Sequence, residues 1–137
     1  MPNKYHYTKL PGKSVIYRPY ILIRLSNPIN QKQTPSIRAL IDSGADICLA
    51  SQELAIWLGV KFSGQEETTK IMTANGSITL AARKKVILHF QNKQIICPVY
   101  FAQKIPADST PLLGQLGFFD HFHICFNLAN KYFQINS

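Results

Sequence analysis

The tetrapeptide Asp42-Ser43-Gly44-Ala45 follows directly on the apolar run Ala39-Leu40-Ile41. An ionisable carboxyl at the end of a buried strand costs free energy unless it is paired or used. A carboxylate followed at once by a hydroxyl and a glycine therefore reads as a chemical group. Two carboxyls close enough to share one proton cannot both ionise. The ionised member draws a proton from water while the protonated member polarises a carbonyl. Such a pair hydrolyses an amide with no metal and no covalent intermediate. The sequence holds a single Asp-Ser/Thr-Gly. Either a second copy of the chain completes the pair, or Asp42 does something else.

Other reactive groups are weaker candidates. His121, His123 and Cys125 alternate, which on a strand puts them on one face, and imidazole and thiolate are zinc ligands. A fourth ligand is not evident, so a packed hairpin end is the simpler reading and neither metal nor cofactor is expected. Cys48 has no neighbouring base to make it a nucleophile. Asp108 and Asp120 suit loop or helix-surface roles, and Trp57 suits the core side of a helix.

The rest of the chain must position Asp42. Its 137 residues suffice for one cored domain and are short for two lobes. With 46% hydrophobic and 16% charged residues, disorder is not expected. No apolar run is long enough to span a bilayer, and the N-terminus lacks a signal-peptide core. A cytoplasmic protein without a membrane partner is expected, unless the chain is cut from a larger precursor. Three scattered cysteines fit reduced, mostly buried thiols. The net charge of +8 raises nucleic acid as a partner. Lys and Arg are nevertheless spread out, with one short cluster at Arg83-Lys84-Lys85, which favours solvated strand faces.

Residues 1–14 are polar and broken by Pro2, Pro11 and Gly12, and read as an arm before a domain over 15–137. Strands are expected over 15–25, with Pro19 at an edge or bulge, and over 36–41. Ser51 can cap a helix over 51–58 that Gly59 stops. Runs at 69–73 and 77–81 flank Ala74-Asn75-Gly76, a strong hairpin signal. A second pair, 86–90 and 95–101, turns at Gln91-Asn92-Lys93, with Asn92 expected at positive φ. Residues 115–122 carry helical spacing, and 123–126 with 131–135 read as a last hairpin. Many short strands with two short helices indicate an all-β domain, closed or sandwiched.

Four features occur in order: Leu40-Ile41-Asp42-Ser43-Gly44-Ala45, Thr73-Ala74-Asn75-Gly76, Leu112-Leu113-Gly114, and the aromatic C-terminal segment. Together they resemble the retropepsin-like aspartic proteases, the single-lobed, homodimeric relatives of pepsin, and most of all their small cellular branch. The resemblance spans about 16–135. It implies a closed acid-protease β-barrel with two short helices, acting as a homodimer on a peptide or protein substrate.

It further implies that Asp42 is catalytic and faces Asp42 of a second subunit. Ser43 would tie the two loops together, and Gly44 would let them approach. Leu113 and Gly114, with Leu112, would cross beneath the loop and support it. Ala45 and Asp46 would line the substrate cleft, and Thr73, Ala74, Asn75 and Gly76 would form a flap over it. Gln115 stands where the viral enzymes carry an arginine, which leaves Asp46 without an ionic partner. The same fold also serves a non-proteolytic dimerisation or peptide-binding module, or a basic nucleic-acid-associated domain.

Overall fold

The computed structural model describes residues 3–12, 15–73 and 75–137. The strands are β1 (Asn3–His6), β2 (Thr8–Lys9), β3 (Tyr17–Arg18), β4 (Tyr20–Ser26), β5 (Ile37–Ile41), β6 (Cys48–Ser51), β7 (Thr68–Met72), β8 (Ile78–Phe90), β9 (Lys93–Ala102), β10 (Leu112–Leu113), β11 (His123–Asn127) and β12 (Tyr132–Asn136). One helix, α1 (Gln52–Trp57), follows β6.

Six strands close on themselves in the order β4-β5-β10-β6-β9-β8, and β4 returns to β8 through Arg24↔His89, Leu25↔Leu88 and Ser26↔Ile87. This is the closed all-β barrel expected. Closure leaves no open sheet edge within the ring. Alternation explains which side chains fill it: Ile21, Ile23 and Leu25 of β4 point inward, as do Val86, Leu88 and Phe90 of β8. β7 pairs only with β8 and extends the sheet outside the ring as a hairpin arm.

A second sheet, β1-β12-β11, joins the two ends of the chain. The segment read as an arm thus contributes a strand, with Asn3 opposite Ile135 and His6 opposite Tyr132. Aromatic packing fastens this sheet to the barrel. Tyr5 lies 5.7 Å from Phe90 and 5.6 Å from Phe133 between ring centroids, and Phe118 lies 4.8 Å from Phe122.

Several local expectations need correction. Residues 115–122 form turns, not a second helix. Gly117 adopts φ +106°, and a β-carbon there would sit 2.8 Å from Cys97 Sγ, so the chain leaves helical geometry at that point. The 91–92 turn has Gln91, not Asn92, at positive φ (56°). Phe90↔Lys93 pairing makes it a two-residue loop, and positive φ at its first position matches the twist of the flanking strands. Trp57 is 48% exposed rather than buried, because this six-residue helix packs through Ala55 and its cap Leu58.

The cap itself is as read. Ser51 Oγ accepts from the Glu53 N–H at 3.1 Å, and Gly59 takes φ +72° after the last turn. Residues 78–90 form one long strand through Arg83-Lys84-Lys85. Arg83 pairs with Glu67 at 2.8 Å and Lys84 with Glu66 at 2.9 Å.

Candidate active site

The site is built where β5 ends. β10 runs parallel to β5, with Leu112 opposite Leu40 and Leu113 opposite Ile41, and antiparallel to β6 through Leu112↔Leu49. The loop from Asp42 to Ile47 is therefore held between two strands that both pair with β10. The Asp42 N–H donates to the Leu113 carbonyl at 3.0 Å. Past β10, the Gln115 N–H donates to the Ala45 carbonyl at 2.9 Å, and the Leu116 N–H donates to the Asp46 carbonyl at 3.0 Å. The Gln115 side chain adds an N–H to the Ser43 carbonyl at 3.1 Å. These donors satisfy the loop's backbone acceptors without a regular ladder.

Gly114 makes the crossing possible. A β-carbon there would lie 2.2 Å from the Ile47 carbonyl oxygen and 2.6 Å from that of Ala45. Both obstacles are backbone, so neither can swing aside. Leu113 beside it is 2% exposed and closes the loop's underside.

The Asp42 carboxylate is half-buried at the rim, and its Oδ1 accepts the Gly44 N–H at 3.0 Å. Ala45 N–H donates to the Asp42 carbonyl at 3.1 Å, tightening the turn. Ser43 and Gly44 are exposed. Among the described residues the Ser43 hydroxyl has no hydrogen-bond partner within the chain, and Asp46 is exposed and in no ion pair.

Opposite the loop stands the β7–β8 hairpin. The Thr73 N–H donates to the Ser77 carbonyl at 2.8 Å and the Gly76 N–H to the Thr73 carbonyl at 2.9 Å, with Gly76 at φ +84°. Asn75 Oδ1 accepts from the Ser77 N–H at 3.1 Å and from its hydroxyl at 2.8 Å, an Asx-type brace across the tip. Ala74, expected in the flap, lies outside the described residues.

Two adjoining hollows run along the hairpin, the first between it and the loop and the second between it and residues 104–109. One, of about 400 Å³, is lined by Ala45, Asp46, Ile47, Leu49, Thr69, Lys70, Ile71, Tyr100 and Leu112. The other, of about 510 Å³, is lined by Leu49, Ile71, Met72, Thr73, Asn75, Lys104, Ile105, Pro106 and Ser109. Leu49 and Ile71 belong to both, so the two form one apolar trough with polar ends. The structure thus brings Ala45 and Asp46 to the trough with Thr73 and Asn75. Asp42, Ser43, Gly44, Leu113 and Gly114 form the adjoining loop and its support.

Sequence reasoning missed Leu49, Ile71, Tyr100 and Lys104 as lining residues. The alternation Cys48 (buried), Leu49 (half-buried), Ala50 (buried) carried the signal for Leu49. It also missed the thiol pair below the loop. Cys97 Sγ lies 3.8 Å from Cys48 Sγ, which in turn accepts the Gly114 N–H at 3.4 Å. The bond from Cys97, opposed by burial and aided by that of Gly114, holds the Cys48 thiol below its ordinary range. The same thiol–thiol hydrogen bond, with burial, pushes Cys97 up. All three cysteines are free, and Cys125 is exposed rather than buried. His121 falls in a turn, outside the strand that carries His123 and Cys125, and no metal-holding cluster occurs among the described residues.

Comparison with known proteins agrees with this architecture. The family model described as "Aspartyl protease" matches residues 28–115, from the β4–β5 loop through Gln115. That span is more than half of the chain, and the protein belongs to the aspartyl protease family. Its fold is retropepsin-like. A retropepsin-like aspartic protease from Rickettsia conorii superposes with a TM-score of 0.56 at 19% identity, covering 85% of this chain and 88% of that one. The EIAV protease, solved with the inhibitor HBY-793, superposes with a TM-score of 0.50 at 20% identity, covering 77% of this chain and 88% of that one. Comparison with curated proteins gave no match. No helix among the described residues is long and apolar enough to cross a membrane.

Proposed function

We propose that the chain is an aspartic endopeptidase that works as a homodimer, with Asp42 of each copy forming one catalytic pair. The observation that carries this reading is the setting of Asp42. Its carboxylate is half-buried on a loop pinned by four hydrogen bonds with the Leu113–Leu116 crossing, and Ala45 and Asp46 of the same loop line an apolar trough. A structural aspartate needs no such trough, and a single carboxylate cannot supply both acid and base. The exposed Ser43 and Gly44, and the unpartnered Ser43 hydroxyl, suit a surface where a second loop docks across a two-fold axis.

In the mechanism that follows, the ionised Asp42 accepts a proton from a water held between the two carboxyls. The protonated partner donates a hydrogen bond to the scissile carbonyl oxygen. Water adds to the carbonyl carbon, and the amide nitrogen then takes a proton as the C–N bond breaks. Neither metal nor cofactor enters. The peptide lies extended in the trough under the hairpin, which acts as a flap through Thr73, Ala74, Asn75 and Gly76 and opens to admit it. Ala45 and Asp46 meet the substrate backbone.

The experiment is cleavage of a mixed peptide library by the purified chain, with the oligomeric state measured at the same concentration. Cleavage lost in Asp42→Asn and blocked by a statine-type transition-state mimic supports the reading. Peptide binding without cleavage, unchanged in Asp42→Asn, would instead make the chain a binding module. Cleavage by a strict monomer removes the shared-proton mechanism.

A further inference from the structure

The β4–β5 loop and the end of α1 build a surface the proposed chemistry does not use. Asn27 and Asn30 each donate a side-chain N–H to the Leu58 carbonyl at 3.1 Å, clamping the loop to the last turn of the helix. Asn27 Oδ1 also accepts the Ile29 N–H at 3.0 Å. The loop is thus tied down, and Ile29 still stands at its tip, 92% exposed. No other large apolar side chain among the described residues is as exposed. Trp57 and Ile56 on α1 are 48% and 62% exposed.

Cations surround this prominence. The Lys32 ammonium sits 4.7 Å above the Trp57 ring centroid. Lys61, Lys84 and Lys85 line the same small hollow as Ile29. Of the carboxylates on these elements, Glu66 pairs with Lys84 and Glu53 lies in the first turn of α1. Among the described residues, none pairs with Lys32, Lys61 or Lys85.

Single exposed apolar residues are ordinary. An exposed aliphatic tip on a loop tied to the end of the helix that carries an exposed indole, with Lys32, Lys61 and Lys85 in no ion pair among the described residues, on a chain of net charge +8, is a more specific combination. It matches the layering of a bilayer surface. An aliphatic tip enters the acyl boundary, tryptophan rests at headgroup level, and lysines meet anionic headgroups. We propose that this surface docks the protein on an anionic phospholipid membrane, as a peripheral contact and not a spanning one. Single-stranded nucleic acid fits it less well. Ile29 offers no stacking face, and Lys32 already covers one face of the Trp57 ring. The surface shares no lining residue with the trough that Ala45 and Asp46 line, so the proposed docking does not depend on the proposed chemistry.

The test is co-sedimentation of the full chain with phosphatidylcholine vesicles, with and without phosphatidylserine, over a salt series. Binding is expected only with the anionic lipid and is expected to weaken as salt rises. Lys61→Gln and Lys85→Gln should each lower the partition coefficient about fivefold. Ile29→Ser should lower it about tenfold while keeping the salt dependence. These side chains are exposed, and an unchanged thermal unfolding transition in each variant separates lost docking from lost folding. Equal binding to neutral vesicles, no binding at low salt, or full binding by Ile29→Ser each overturns the proposal. So does tighter binding to single-stranded DNA that survives Ile29→Ser and Trp57→Ala, which would assign the lysines to nucleic acid.

Discussion

The carbonyl oxygen of Ile47 lies 2.2 Å from the point where a β-carbon on Gly114 would stand. The chain crosses beneath the Asp42 loop at a separation that only a hydrogen at Cα allows. Support of the loop and its shape are therefore one property. Moving the crossing outward would lengthen the Gln115–Ala45 and Leu116–Asp46 hydrogen bonds together.

Gly114→Ala is accordingly expected to destabilise the fold by about 2–3 kcal/mol, at the upper end for overpacking because backbone is in the way. Peptide cleavage should fall further than stability accounts for, since the displaced loop carries Asp42. Urea denaturation and a cleavage assay on the folded fraction measure the two effects separately. Wild-type stability in the variant would mean that the crossing relaxes easily.

Gln115 tests the loop from the other side. Its amide nitrogen donates to the Ser43 carbonyl at 3.1 Å, in a partly solvated setting. Gln115→Ala should cost about 0.5–1 kcal/mol, because water can replace the lost donor. In the proposed homodimer the larger effect should be on the placing of Ser43 beside the second copy of the chain. A weaker dimer is expected, seen as a higher protein concentration for half-maximal activity. An unchanged dissociation constant would limit Gln115 to local support.

What the sequence reveals about this site divides along local and non-local lines. Asp42 to Asp46 could be read because a carboxylate, a hydroxyl and a glycine following an apolar strand are a local anomaly with few explanations. Ser51 as a cap and Gly59 as a stop were equally local. The turn at 115–122 was not legible. Leu116 and Phe119 have helical spacing, yet Gln115 and Leu116 are anchored to the Asp42 loop, and Gly117 leaves helical geometry at φ +106°, close against Cys97. Both facts depend on partners distant in the chain. The Cys48–Cys97 contact and the trough wall at Leu49, Ile71 and Tyr100 were hidden for the same reason. They require the parallel pairing of β6 with β9, for which no short motif exists.

The proposed flap has its own test at Gly76, whose φ of +84° is unfavourable for any residue with a β-carbon. Gly76→Ala should cost about 1–2 kcal/mol within the turn. That cost falls on a hairpin outside the closed ring, so global unfolding should shift less than this. The expected signature is a rise in KM for peptide with a smaller change in kcat, because a distorted tip grips substrate poorly. A loss of thermal stability matching the full local cost, with kinetics unchanged, would make the hairpin structural only.

The barrel's closure predicts a pH dependence. His89 stands opposite Arg24 where β4 meets β8, with Nε2 2.8 Å from the Ser26 hydroxyl and 3.2 Å from the Gln33 side-chain amide nitrogen. An amide nitrogen only donates, so this arrangement suits an unprotonated Nε2. Burial first, and then the positive charge of Arg24, hold the His89 pKa below its ordinary 6.5. The unfolded chain therefore binds a proton at a pH where the native chain does not. Stability is fully present above the ordinary value, falls as pH drops towards the lower native one, and levels once both states are protonated. The urea midpoint should decline as pH falls from the ordinary imidazole value towards the lower native one. His89→Gln should flatten that decline, and Arg24→Gln should narrow it by raising the native pKa. Parallel profiles for wild type and His89→Gln would place the proton uptake at another group.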